Sequence, residues 1–154
     1  MSASEIIIIQ TEVQPAAVIH LNIPRDEIQT MMGPAITEVI EAVTSQGIGP
    51  AGPVFAHHFG MEPGIFNFHV GVPVHGPVTP AGRVKAAELP DAKVARTIYT
   101  GPYEGLGEAW ERFVDQLQAG GYQLGPSLWE RYLTDPSQVP DASHYQTELN
   151  HIIL

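Results

Sequence analysis

Ile98-Tyr99-Thr100-Gly101-Pro102-Tyr103-Glu104-Gly105-Leu106-Gly107-Glu108-Ala109-Trp110 decides the fold. Ile98 and Tyr99 end a strand, and Gly101-Pro102 is a turn. From Leu106 onward Leu106, Ala109, Trp110, Phe113 and Leu117 recur at the 3.6-residue period of an amphipathic helix. Gly120-Gly121 stops that helix. The stretch is therefore strand, turn and helix start, with Tyr99 and Tyr103 flanking the turn.

Upstream, Arg83–Leu89 and Lys93–Tyr99 read as strands split by Pro90-Asp91. Leu128–Leu133 is a strand, Thr134-Asp135-Pro136 opens a loop to about Ser143, and Tyr145–Leu154 is the closing strand. The N-terminal part has the same order. Glu5–Val13 is a strand whose four isoleucines, Ile6–Ile9, suit burial on both faces. Gln14-Pro15 breaks it, and Ala17–Ile23 is a second strand. A helix over Ile28–Val43 is interrupted at Gly33-Pro34, so its regular part is expected from Pro34 and Gly47 caps it. Gly49–Pro53 is a loop, Val54–Phe59 a strand, Met61–Gly64 a tight turn and Ile65–Val74 a strand reaching an edge or an end at Pro73. His75–Gly82 is a Gly/Pro linker.

The two parts align at a constant offset of 74 residues. Gly33 falls on Gly107, Ala35 on Ala109, Ile36 on Trp110, Val39 on Phe113, Val43 on Leu117, Gly47 on Gly121 and Phe55 on Trp129. With the longer second loop allowed for, His69 falls near Glu148. The expected fold class is α+β. Duplicated β-β-α-β-β units, halves at about 1–76 and 80–154 of one domain, pair by a pseudo-twofold into a curved antiparallel sheet with two helices on one side. The opposite, concave side would form a ligand groove between the halves.

Composition narrows the function. Of 154 residues, 44% are hydrophobic, enough for an ordinary core. The formal net charge of −10, with seven Lys plus Arg, argues against nucleic-acid binding and mildly favours cationic ligands. There is no cysteine, hence no disulfide or thiolate metal site. No stretch has the ~20 consecutive apolar residues of a membrane helix. The N-terminus has no basic region or cleavage site of a signal peptide, so a cytoplasmic location is the default expectation.

Glu148 is the lone acid of the last strand and shares a face with Gln146, Asn150 and Ile152. On the residues alone it has two readings. Unpaired in an apolar groove, its pKa rises, and it serves as counter-charge to a cation or as a general base on water. Alternatively it is a solvent-exposed strand glutamate, salt-bridged to Arg131 or Arg96. Tyr103 and Tyr99 offer an aromatic face and a hydroxyl, to a ligand or to the core. Trp110 fits helix–sheet core. Trp129 and Phe55 are candidate pocket walls facing each other across the pseudo-twofold, with Tyr132 and Phe68 weaker candidates. His57 and His58 point to opposite faces, no His spacing fits a metal, and His69 is a pocket or sheet residue. No nucleotide-binding fingerprint is present and no cofactor is expected.

Taken in order, G-P-Y-E-G-L-G-E-A-W, G-G-Y-Q-L-G-P, Y-L-T-D-P and T-E-L resemble the GyrI-like domain, the bacterial effector-binding domain also found in multidrug-responsive transcription activators. The resemblance spans nearly the whole chain. It implies a duplicated fold and a central pocket for lipophilic, often cationic, molecules, with the pocket glutamate at Glu148. His69 departs from the acid that many relatives carry in the first half. The first strand, starting near residue 5, leaves no room for a helix-turn-helix, so the chain resembles stand-alone members. The resemblance then implies a drug or effector sensor or a sequestering protein. The alternatives it implies are a hydrolase of cyclopropane-bearing electrophiles or a gyrase-inhibitor-type protein; in a hydrolase Glu148 would activate water and Tyr103 would act as acid or orienter. A regulator or gyrase subunit, or a second copy in a homodimer, would be its partners.

Overall fold

The structure is a computed structural model that describes residues 2–3, 5–60, 64–135 and 138–154. In chain order its elements are β1 (Ser2–Ala3), β2 (Ile7–Gln10), β3 (Gln14–Pro24), α1 (Ile28–Gln46), β4 (Phe55–Gly60), β5 (Ile65–Pro73), β6 (Lys85–Leu89), β7 (Lys93–Thr100), α2 (Leu106–Ala119), β8 (Leu124–Tyr132) and β9 (Gln146–Ile153). Short 3-10 turns precede α1, α2 and β9. The fold class is α+β, with antiparallel strand pairing and two helices.

The chain divides into two compact units, Met1–Thr11 with Ala92–Leu154, and Glu12–Asp91. These bounds differ from halves at 1–76 and 80–154. The reason lies in strand pairing. β2 pairs with β7, with Ile7 opposite Arg96, and β6 pairs with β3, with Lys85 opposite Val18.

In the first unit β9 lies between β7 and β8, antiparallel to both. The apolar stripe of α2 packs on one sheet face. Phe113 and Leu117 join Ala95, Tyr99, Leu149 and Ile153 in a buried cluster, flanked by Ile6, Leu106, Ala109, Trp110 and Leu124. β2 is not buried on both faces as its isoleucines suggest: Ile7 is 49% exposed and Ile8 37%. Among the described residues it pairs only with β7.

In the second unit β3 lies between β5 and β6, and β4 pairs with β5. Ala35, Val39 and Val43 of α1 are buried, as the 3.6 period predicts. Gly33-Pro34 does not split the helix. Pro34 deletes the bond to the Thr30 carbonyl, but Thr30, Gly33 and Pro34 are all exposed, so water can serve that carbonyl. Pro15 likewise lies inside β3, opposite Glu88, and its carbonyl accepts from the Val74 N–H at 2.9 Å. Gly71 is indispensable here: a Cβ on it would stand 2.1 Å from the Ala17 carbonyl oxygen. The expected turn at Met61–Gly64 and the Pro136 end of the Thr134 loop lie largely outside the described residues.

Gly47 and Gly121, just beyond their helices, both take positive φ, 70° and 84°. His57 stands opposite His69 as Arg131 stands opposite Glu148.

Candidate functional site

Strand alternation in β8 sends Trp129 and Arg131 to one face and Leu128, Glu130 and Tyr132 to the other. The register with β9 identifies the faces. Glu130 pairs with Leu149, on the side covered by α2, and Arg131 pairs with Glu148, on the opposite side. Two buried carboxylates thus sit on adjacent strands and point in opposite directions.

Glu130 is 8% exposed. The Trp110 indole N–H donates to its Oε1 at 2.7 Å and the Tyr132 hydroxyl donates to its Oε2 at 2.7 Å. Trp110 reaches it from the α2 stripe, and its ring also contacts Phe113 at 5.7 Å between centroids. Around Tyr132 the aromatic wall continues. Its ring meets Tyr103 edge-on at 5.8 Å, and Tyr103 tilts over Tyr145 at 5.1 Å. The Tyr99 hydroxyl donates to the Pro102 carbonyl at 2.9 Å, closing the Gly-Pro turn and fixing where Tyr103 leaves the backbone. Among the described residues no Lys or Arg pairs with Glu130. Burial raises its pKa, an effect only partly offset by the bonds from Tyr132 and Trp110. Burial, then the Glu130 charge and the bond donated to it, pushes the Tyr132 phenol well above its ordinary value. Burial also raises Tyr103, with smaller contributions from Tyr145, Asp135 and Glu130.

Glu148 is 5% exposed but is not a lone acid. Arg131 grips it bidentately, Nε to Oε1 at 2.9 Å and Nη2 to Oε2 at 3.0 Å. Arg96 Nε lies 3.2 Å from the same Oε1, and the Asn150 amide donates to it at 3.0 Å. Burial raises the pKa of this carboxyl, but the bonds from Arg131 and Asn150 and the charges of Arg131 and Arg96 outweigh it, leaving the pKa below the ordinary value. The reading that pairs Glu148 with Arg131 or Arg96 matches the geometry, except that both arginines take part and the residue is buried.

Other predicted residues divide between core and surface. Trp129 and Phe55 are 2% and 1% exposed, opposite Asn150 on β9 and Gly71 on β5. Phe68 is a fully buried core residue stacked on His58 at 4.8 Å. Tyr99 is buried, Tyr132 half-buried and Tyr103 37% exposed. His69 is half-buried in a cross-strand row with His20 and His57, its ring edge-on to His20 at 5.3 Å and to Phe59 at 4.6 Å. His57 and His58 diverge to opposite faces. Among the described residues no group of three or more His, Cys, Asp and Glu side chains is arranged to hold a metal ion.

The residues missed by the sequence reading are Glu130 as a buried acid and Tyr145 as part of its wall. The signal was the spacing Glu130-x-Tyr132, which places acid and phenol on one strand face.

The GyrI-like small molecule binding domain model matches residues 4–149. The chain belongs to this family. Among solved structures, the C-terminal domain of EcmrR superposes with a TM-score of 0.84 at 15% identity, covering 97% of each chain. In the EcmrR–DNA complex the TM-score is 0.80, also at 15% identity, covering 97% of this chain and 57% of the EcmrR chain. This GyrI-like chain thus spans just over half of that regulator. SAV2435 bound to tetraphenylphosphonium gives a TM-score of 0.66 at 10% identity, covering 98% and 94% of the two chains. A hydrolase encoded by lin2189 from Listeria innocua gives 0.63 at 11% identity, covering 97% and 92%. At these identities the likeness is one of fold. A comparison with curated proteins gives no match.

Proposed function

We propose that this GyrI-like domain binds lipophilic cations, with Glu130 as the counter-charge and Tyr103, Trp110, Tyr132 and Tyr145 as the aromatic wall, and that it acts as an effector sensor or sequestering protein. One observation carries this reading: Glu130 is a buried carboxylate held by two neutral donors, with no Lys or Arg paired to it among the described residues. A buried acid without a cation is electrostatically incomplete, and a desolvated aromatic surround strengthens its attraction for one. Glu148, already neutralised by Arg131, has little attraction left for a cation. Tyr103, the most exposed of the four rings, is the side chain whose movement would open the site. The family and the tetraphenylphosphonium complex of the SAV2435 fold relative support the ligand class.

Thermal-shift measurement with a panel of lipophilic cations tests this. Wild type should be stabilised and Glu130→Gln should lose the response, while Glu148→Gln keeps it. If Glu148→Gln alone loses it, the counter-charge has been assigned to the wrong acid.

A hydrolytic second reading rests on the raised pKa of Glu130, which suits a general base, and on the Listeria innocua hydrolase among the fold relatives. Glu148, held ionised by arginines, is too weak a base for that role. Turnover of an electrophilic cyclopropane substrate, abolished in Glu130→Gln, would favour it over simple binding.

A further inference from the structure

On the sheet face turned away from α2, we infer that Arg96 and Arg131 form a binding site for carboxylates with an apolar body, occupied in part by the protein's own Glu148. Two guanidiniums converge on one carboxylate, so the cluster carries a net positive charge on a chain whose formal charge is −10. Its donors are not exhausted. Arg96 approaches Glu148 most closely through Nε, which also donates to Asn150 Oδ1 at 2.6 Å. Arg131 uses Nε and Nη2. Among the described residues neither the Arg96 terminal amino groups nor Arg131 Nη1 donates a hydrogen bond. They are not sealed in: the one buried side-chain polar atom without a hydrogen bond among the described residues is Thr147 Oγ1. The two side chains are 22% and 31% exposed, a half-buried platform that strengthens charge-assisted bonds while keeping the donors accessible. Burial depresses the Arg96 pKa and the Arg131 charge adds to this, against the Glu148 charge, which raises it.

The surroundings define the ligand's other end. Ile7, 49% exposed, lies directly opposite Arg96, and Ile98 lies opposite Glu148. Guanidinium forks match planar carboxylates, and the flanking isoleucines match hydrocarbon rather than a second charge. The site is independent of the Glu130 reading, because alternation in β8 puts the two on opposite faces.

Isothermal titration with 1-naphthoate and its cationic counterpart 1-naphthylmethylammonium, at 0.15 M salt, tests it. Wild type should bind the naphthoate. Arg96→Gln and Arg131→Gln should each weaken it roughly tenfold. Glu148→Gln, which removes the internal competitor and leaves both arginines, should tighten it severalfold. It also supplies the answer if an arginine variant fails to fold. The inference is overturned if neither wild type nor Glu148→Gln binds naphthoate, if Glu148→Gln binds no better than wild type, or if folded arginine variants bind as wild type does. Loss of naphthylmethylammonium binding in folded arginine variants would also overturn it.

Discussion

Arg131 and Glu148 stand directly opposite each other on β8 and β9, and the guanidinium holds both carboxylate oxygens, at 2.9 and 3.0 Å. One residue back, Glu130 turns to the other face and, among the described residues, accepts from an indole and a phenol. The two acids have similar exposure and opposite pKa shifts because their partners differ in charge.

The Arg96–Glu148–Arg131 cluster should be strongly non-additive. Removing either arginine as Gln leaves the other on Glu148 and should cost about 0.5–1.5 kcal/mol. Removing both strands a buried carboxylate, and the loss should exceed the sum, towards about 3–5 kcal/mol. Glu148→Gln added to the double variant should restore stability. Urea denaturation of the four variants checks this. Because the folded pKa of Glu148 is lowered, its contribution is present above the ordinary value of 4.5 and is lost as pH falls through the folded value.

Trp110→Phe keeps most of the packing against Phe113 but leaves Glu130 Oε1 without its donor. The expected cost is about 1–3 kcal/mol, the price of an unsatisfied buried acceptor. Glu130→Leu in the Trp110→Phe background should recover part of it. A cost unchanged by Glu130→Leu would mean that Trp110 acts through packing alone.

The histidine row gives the second unit an acid-sensitive stability. Burial lowers His57 to about 4, with His69 and His58 adding repulsion, and lowers His69 to about 4, with Lys85 and His20 adding repulsion. The unfolded chain binds protons near 6.5 and the folded chain does not, so stability falls as pH drops from about 6.5 to about 4. Thermal melts across this range should slope downward, and His57→Phe should flatten the slope. An unchanged slope in both His57→Phe and His69→Phe would contradict the assignment.

Gly71→Ala should be among the most damaging single-atom additions, since its Cβ would meet the Ala17 carbonyl oxygen at 2.1 Å and the backbone must shift. A loss of more than about 2 kcal/mol is expected by chemical denaturation.

The sequence made the helices legible because burial follows a local period. Val39, Val43, Phe113 and Leu117 are buried where the 3.6 spacing puts them, and Gly47 and Gly121 follow the helix ends in the left-handed conformation. The isoleucine run was misleading because composition favours a strand without saying what will cover it, and Ile7 and Ile8 stay exposed on a strand paired at one edge. Pro15 and Pro34 mark breaks in a local reading, yet both are tolerated inside elements. At the site, position in the last strand selected Glu148. Whether a strand acid meets arginines or an indole depends on cross-strand register, and register with β9 and packing under α2 are not local properties of the sequence.

The most direct measurement is the affinity of tetraphenylphosphonium for wild type, Glu130→Gln and Glu148→Gln by isothermal titration between pH 5 and 8. Glu130 binds a cation when ionised, so wild-type affinity should rise with pH through a carboxyl pKa above the ordinary 4.5. Glu130→Gln should lose roughly tenfold or more and lose the pH dependence, with Glu148→Gln close to wild type. Equal affinity in wild type and Glu130→Gln at every pH would contradict Glu130 as the counter-charge.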